Sequence, residues 1–413
     1  MHHAADWGGA SESLLSLIDE LDRRVYAPAV LFNCRPGTVE GPFRERGLPI
    51  WEEPSITTFP HGQGAWLSLR SLRPWEMVTL AMQVRGSADR FRAFLQSHPC
   101  DIVHLNSVVQ VPAALGAHAA GLPVVWHVRE ELHPGYLGLR RAWVRRCVDR
   151  CASRVVAISR RNASQLLANP KITVVYNFVD FRRFDRNLKG DGFRKELGLS
   201  ATGPVIGMLG GVIESKGADV FTEAAFWVRK RHPGVVFLIA GHPPAGESPS
   251  LMKRVARRVA EGSGMISSVQ RRVLASMCRL GLQSTVRFVG LRHDVPEMLA
   301  ACDVLAWPAT VSHFSRPVIE AGAMARPVVA ADFPSSRELV AEGETGLLFR
   351  PGDARGMADA ILRLLGDPDE TRRMGEAGFV LARQRYDSRR NAAAIAAIYD
   401  DLLPDARPET VSA

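Results

Sequence analysis

Short, continuous apolar runs alternate along this chain with amphipathic stretches long enough for a helix. In the first half, "DIVHLNS", "PVVWHV", "RVVAIS" and "ITVVYN" read as strands, with "AALGAHAAG" and residues 139–154 as helices. In the second half, "PVIGML", "VVFLIAG", "VRFVG", "DVLAWPA" and "PVVAAD" alternate with helical segments in the same way. A strand that is apolar throughout must be covered on both faces. Alternation with helices supplies that cover around a parallel sheet. With 413 residues, 46% of them hydrophobic, the chain has enough for two such domains. Residues 183–203 are polar, with Phe184, Phe193 and Leu197 their few large apolar side chains, and read as the linker. The expected fold is α/β, with two doubly wound parallel-sheet domains facing across a cleft, residues 1–183 and 184–386.

One irregularity stands at the start. "WGGASESLLSLI" reads as a glycine turn opening a helix, yet only six residues precede it. The first strand is expected to be a stub, with the true start upstream of Met1.

The formal net charge of +9 favours anionic partners: phosphates, anionic lipid or nucleic acid. Nucleic acid is disfavoured, because no aromatic residues alternate with the basic ones to form a stacking platform. The six cysteines lie at 34, 100, 147, 151, 278 and 302, with no C-x-x-C pair and no zinc spacing, and are expected to be reduced thiols of a cytoplasmic protein. The nearest approach to a membrane span, residues 108–126, is interrupted by Pro112, His118 and Gly121.

Ligands of open parallel sheets bind beyond the carboxyl ends of the strands, so the residues there are the candidates. Gly8 and Gly9 open a helix whose free N–H groups suit a phosphate, or they make a plain tight turn. In "GMLGGVIESKG", Lys216 stands where a strand passes into a helix and can neutralise a diphosphate; a solvated lysine is the ordinary alternative. Ser315-Arg316-Pro317 reads as a helix start with Ser315 as N-cap. Glu320 follows among Val318, Ile319, Ala321 and Ala323. A carboxylate there suits the vicinal diol of a ribose; a surface glutamate with a salt-bridge partner is the alternative, which those apolar neighbours disfavour. His127 and Asn106 end buried strands; a hydrogen-bonded core histidine is the alternative for the first. Glu130 and Glu131 follow, facing an acceptor or nothing. The 140–154 helix carries Arg140, Arg141, Arg145, Arg146, Arg150 and Arg154 against Asp149, with an apolar stripe of Trp143, Cys147, Val148 and Cys151. Its basic face is either solvated or laid on an anionic membrane. Asp367-Pro368-Asp369 reads as a turn, and no metal is expected.

These motifs, in this order, resemble the retaining glycosyltransferases of family 4 (glycosyl transferases group 1), which have the GT-B fold. The resemblance runs nearly end to end through "GGASESLL", "DIVHLNS", "VVWHVRE", "SKGADVFTEAA", "DVPEMLAACDVLAWPA", "RPVIEAGAMARPVVAADF" and "RELVAEGETGLLFRPGD". It implies a Rossmann-like acceptor domain, a second domain holding a nucleotide-diphosphate sugar, and residues 387–413 as a helix crossing back to the first domain, with a tail. Glu320 then matches the glutamate that holds the ribose, Lys216 the lysine that stabilises the leaving diphosphate, Gly9 the glycine loop near the phosphates, and His127 the histidine near the donor sugar. The implied donor set is Gly8, Gly9, Lys216, Ser312, His313, Phe314, Ser315, Arg316 and Glu320, with His127, Lys216 and Glu320 catalytic. Asn106, Glu130 and the loop 54–75 fall on the acceptor side. No cofactor beyond the donor substrate is implied.

The chain departs from the family pattern at three points. Ser312 stands where the first glutamate of E-x7-E belongs, Gly211 where a basic residue is usual, and Pro334-Ser335 where a glycine pair precedes Glu338. Loss of a charged contact costs about 1.5–3 kcal/mol, roughly one to two decades of rate if it acts only in the transition state. His313, adjacent to Ser312, is placed to compensate. Three functions compete: transfer of a sugar to a cell-surface polysaccharide or lipid-linked glycan, non-catalytic binding of a nucleotide sugar or partner, and isomerisation of a nucleotide sugar.

Overall fold

The computed structural model describes residues 1–5, 7–59, 74–241 and 268–403. The chain divides into two compact units, Met1–Phe178 with Asp387–Ala413, and Val179–Tyr386.

In the first unit, β1 (Val30–Phe32) pairs in parallel with β2 (Ile50–Glu52), while β3 (Val103–Leu105), β4 (Val124–Val128), β5 (Arg154–Ala157) and β6 (Ile172–Val174) form a parallel sheet in that order. Met1 and His2 lie between the two sheets. His2 bridges to Phe32 in parallel, and the Asn106 N–H donates to the Met1 carbonyl at 3.2 Å. Met1 and His2 thus connect the two sheets, and the parallel order runs β2, β1, Met1–His2, β3, β4, β5, β6. All five residues of β4, "VVWHV", are buried, which is why this run carries no polar alternation. The helix Ser388–Leu402 packs Ile395, Ile398 and Tyr399 against Leu17, Val125 and Val156.

In the second unit, β7 (Val205–Leu209), β8 (Val236–Ala240), β9 (Val286–Gly290), β10 (Val304–Trp307), β11 (Val328–Ala331) and β12 (Gly346–Phe349) form one parallel sheet in the order β12-β11-β10-β7-β8-β9. Ile206, Met208, Phe237 and Ile239 enter one core, and the intervening Val205, Leu238 and Leu305 are equally buried, so helices cover both faces. The helix Ala218–Arg229 shows how: Phe221, Thr222, Ala225 and Val228 recur on one face at helical spacing and are buried there. Strand order reverses between β7 and β10, and such a switch point opens a crevice at the carboxyl ends of those strands.

The stretch 183–203 is not a linker. Its helix Asp191–Glu196 buries Phe193, a Cβ added to Gly190 would stand 2.4 Å from the Ala301 backbone, and Arg194 donates to the Ala301 carbonyl at 3.0 Å. Arg183 and Arg194 donate to the His293 and Ala301 carbonyls while most of its other polar residues stay exposed, a use that composition does not reveal. The chain passes from one unit to the other earlier, after Phe178. Asp367 caps the helix Pro368–Arg385 through the Glu370 N–H at 2.9 Å. All six cysteines are free thiols. No described helix is long and apolar enough to cross a membrane.

Candidate active site

In the second unit, β7 is followed by Gly210 and Gly211, both at positive φ, and the chain then turns through Glu214–Lys216 into the helix Ala218–Arg229. Gly217 makes that turn at φ 70°, and a Cβ added to it would stand 1.8 Å from the Pro308 carbonyl oxygen. Only glycine fits. Thr310, beyond β10, ties the two loops together: its N–H donates to the Ser215 carbonyl at 3.2 Å and its hydroxyl to the Glu214 carbonyl at 2.9 Å.

This arrangement brings Lys216 and His313 together at the switch point. The His313 Nδ1–H donates to the Val311 carbonyl at 2.9 Å, so its Nε2 is left to accept from the Lys216 ammonium, also at 2.9 Å. The ammonium also lies over the Trp307 ring, 4.9 Å from its centroid. Burial lowers the Lys216 pKa to about 8, and burial together with the lysine charge lowers that of His313 to about 4. The pair is therefore a cation beside a neutral imidazole.

The helix Arg316–Ala323 starts at Ser315, whose backbone is extended as an N-cap requires. Its hydroxyl makes no cap bond; it is buried and has no hydrogen-bond partner among the described residues. Arg316 Nε donates to Glu320 Oε1 at 2.8 Å, with both side chains about one-tenth exposed. Glu320 is thus a buried carboxylate held by an arginine one turn earlier. Ser312 donates to the Ser335 hydroxyl at 3.0 Å, so two of the three places that depart from the family pattern are bonded to each other. Phe314 is half-buried, edge-on to Tyr386. Gly211 adopts φ 69°, a conformation that disfavours the basic side chain usual there.

In the first unit, Gly8 and Gly9 are exposed at the start of the helix Gly9–Glu20, where they leave its first N–H groups open. Gly8 is extended and no atom lies within 4 Å of where its Cβ would be, so no steric need for glycine arises from this unit. His127 is buried in β4, with its Nε2 unpartnered among the described residues. Asn106 is a hub: its amide donates to His2 Nδ1 at 3.1 Å and to the Ala10 carbonyl at 3.2 Å, and accepts from Arg129 Nε at 2.7 Å. Both Glu130 oxygens accept from the β3 loop, one from the Ser107 hydroxyl at 2.6 Å and one from the Val108 N–H at 3.0 Å. These two residues brace the mouth of the sheet. The loop expected to carry acceptor contacts, 54–75, lies largely outside the described residues.

The stripe of the helix Leu139–Cys151 runs through Val144 rather than Trp143, and Arg140 is buried on the same side. Arg145 donates to the Gln165 carbonyl and Arg154, beyond the helix, pairs with Asp401. Arg146 and Arg150 are exposed, a weaker basic surface than the sequence suggests. The described residues contain no cluster of three or more metal-type ligands.

Arg129, Asn177, His104 and Tyr399 were not singled out by sequence reasoning. Arg129 had a signal: it follows His127 by two, the strand period that returns a side chain to the same face. The others are brought together only by pairing and packing.

Two Rossmann-like units, each with polar and charged groups beyond the strand ends, define a two-domain GT-B architecture. Solved structures agree: HepE from Anabaena in complex with UDP and glucose matches with a TM-score of 0.74 at 22% identity over 97% of this chain and 98% of that one, and WaaG, a glycosyltransferase involved in lipopolysaccharide biosynthesis, with 0.66 at 14% over 96% and 98%. Residues 7–183 match the family described as Glycosyltransferase Family 4, and residues 203–367 the family described as Glycosyl transferases group 1. The chain belongs to this family of group 1 glycosyltransferases.

Among curated relatives, the lipopolysaccharide core biosynthesis mannosyltransferase LpsB of Rhizobium meliloti (strain 1021) is 27% identical over 251 residues, 60% of this chain and 66% of that protein. The D-inositol 3-phosphate glycosyltransferase of Nocardia farcinica (strain IFM 10152) is 33% identical over 235 residues, 54% and 47%. The chain therefore spans less than two-thirds of the length of these relatives.

Proposed function

We propose that this protein transfers a sugar from a nucleoside-diphosphate sugar to a glycan or lipid-linked acceptor, with retention of configuration, in the building of cell-surface polysaccharide on the cytoplasmic side. The observation that carries this reading is the switch point of the second unit. There a half-buried Lys216 ammonium, held by a neutral His313, lies beside the loop that leads into the helix with a buried Ser315 hydroxyl, unpartnered among the described residues, at its start. Positive charge, a free hydroxyl and open helix N–H groups together suit a diphosphate. Glu320, on the same helix, then accepts the ribose hydroxyls.

In this reaction the C1–O bond to the diphosphate breaks and the acceptor oxygen forms its bond on the same face of the sugar. The acceptor proton passes to the departing phosphate oxygen. Lys216 stabilises the charge that develops on the leaving group, and the loops hold the reactants in place. This reading needs no metal, since side chains and backbone N–H groups supply the charge. The names of LpsB and HepE support a sugar-nucleotide donor and a surface-glycan setting. Non-catalytic binding is the second reading, favoured by Ser312 being bonded to Ser335 in place of a charged residue.

The test is thermal shift with a panel of nucleoside diphosphates and their sugars on wild type and Glu320→Ala, followed by product analysis with the donor that binds. Ligand at 100 times its Kd adds about 2.7 kcal/mol, a rise of several degrees. A shift lost in Glu320→Ala, with transfer to an acceptor, is the expected result. A shift without turnover supports the second reading, and no shift with any nucleotide overturns both.

A further inference from the structure

His127 is held by groups that decide which of its ring nitrogens carries the proton. Arg129 sits immediately beyond β4. Its Nε donates to Asn106 Oδ1 at 2.7 Å, one terminal nitrogen to Asn177 Oδ1 at 2.5 Å, and the other approaches His127 Nδ1 at 3.4 Å. A guanidinium has no lone pair with which to accept, so His127 Nδ1 must be the acceptor and bears no proton. A neutral ring then carries its proton on Nε2.

The same nitrogen lies 3.3 Å from His104 Nε2. That atom must donate as well, so His104 accepts at Nδ1, where the Tyr399 hydroxyl stands at 2.7 Å. Burial keeps that phenol protonated by raising its pKa, so it is a donor. Donors and acceptors match along the whole path from Tyr399 through His104 to His127, and every group lies in the first unit. One polar atom is left over. His127 Nε2 is buried and has no acceptor among the described residues.

We propose that Arg129 is a positioning residue that locks His127 as a neutral Nε2–H tautomer, reserving that N–H for an oxygen of the sugar-nucleotide donor and barring His127 from acting as a base. His104 and Tyr399 fit the locked ring without setting it. The ligand half of this proposal rests on the glycosyltransferase reading above; the tautomer half does not.

Two-bond 15N–1H correlation spectra of the 15N-histidine-labelled full chain report which ring nitrogen is protonated. Wild type is expected to show His127 protonated on Nε2 alone at neutral pH. Arg129→Met is expected to populate the Nδ1–H form. Tyr399→Phe, which removes only the far end of the path, leaves the Nε2–H form in place. In turnover, His127→Gln, whose amide supplies an N–H, should retain at least about tenfold more kcat/KM than His127→Ala, the scale of one hydrogen bond.

A wild-type His127 protonated on Nδ1 or on both nitrogens overturns the lock, and needs no variant to fold. So does an Arg129→Met spectrum identical to wild type. Titration with UDP-glucose and GDP-mannose separates the two halves. A shift of the Nε2–H resonance with either supports the ligand assignment. A correct tautomer that neither compound perturbs overturns that assignment alone.

Discussion

Lys216 is a cation whose surroundings barely keep it one. Burial lowers its pKa to about 8, and its acceptor, His313, has a pKa lowered to about 4 and so is neutral at neutral pH. A diphosphate needs the charged form, which is present below pH 8 and lost above it. The kcat/KM for the donor reports the free enzyme. It is expected to be flat from about pH 6 to 7.5 and to fall about tenfold per unit above pH 8. A pH–rate profile checks this, and a flat profile to pH 10 would remove Lys216 from the chemistry. The lysine, Glu320 and Ser315 were legible in the sequence because each follows an apolar run at a helix start. The Arg316–Glu320 contact was less so: spacing of four allows such a pair, but only the fold makes it a buried one. His104, Asn177 and Tyr399 lie 23, 50 and 272 positions from His127, and no local pattern connects them.

Gly217 is the hinge on which the lysine loop depends. Its positive φ and the Pro308 carbonyl oxygen leave no room for a Cβ. Gly217→Ala is expected to cost about 3 kcal/mol or more and to lower Tm by roughly 6–12 °C. Gly343, at φ 74° with no atom near its Cβ position, serves as the control. Gly343→Ala carries the backbone strain alone, about 1 kcal/mol. Equal losses in calorimetry would show that strain rather than the Pro308 contact decides. The strands and helices around this turn were readable from period and apolarity. The helix Asp191–Glu196 was not, because its six residues hold one buried apolar side chain and owe their place to Ala301 and neighbouring carbonyls. The stripe of the helix Leu139–Cys151 was off by one position at its start for a related reason: Arg140 is buried and Trp143 partly exposed, against their ordinary preferences.

At the scale of the whole molecule, the first unit carries a liability to acid. His2 and His127 are buried and His104 is half-buried; all three are neutral, with pKa values well below the ordinary 6.5, in each case chiefly through loss of solvent. The unfolded chain takes up a proton at each of them below about pH 6.5 while the folded chain does not. Their contribution is therefore complete above pH 6.5 and is lost as pH falls toward the folded values. Each adds a slope of up to about 1.4 kcal/mol per pH unit. Chemical denaturation followed between pH 7.5 and 5 should show the first unit weakening while the six-stranded unit changes less, and equal loss in both would contradict it. By itself the sequence determined the fold class, the alternation that builds two parallel sheets, and the residues that end their strands, because burial on both faces and helical period are local properties of the chain. Tertiary structure alone decided what those residues do. It set Lys216 against His313 at the point where strand order reverses, and it set Arg129 against His127. Which strand lies beside which depends on pairing between distant segments, and a proton's place on an imidazole depends on what those segments bring within hydrogen-bond reach.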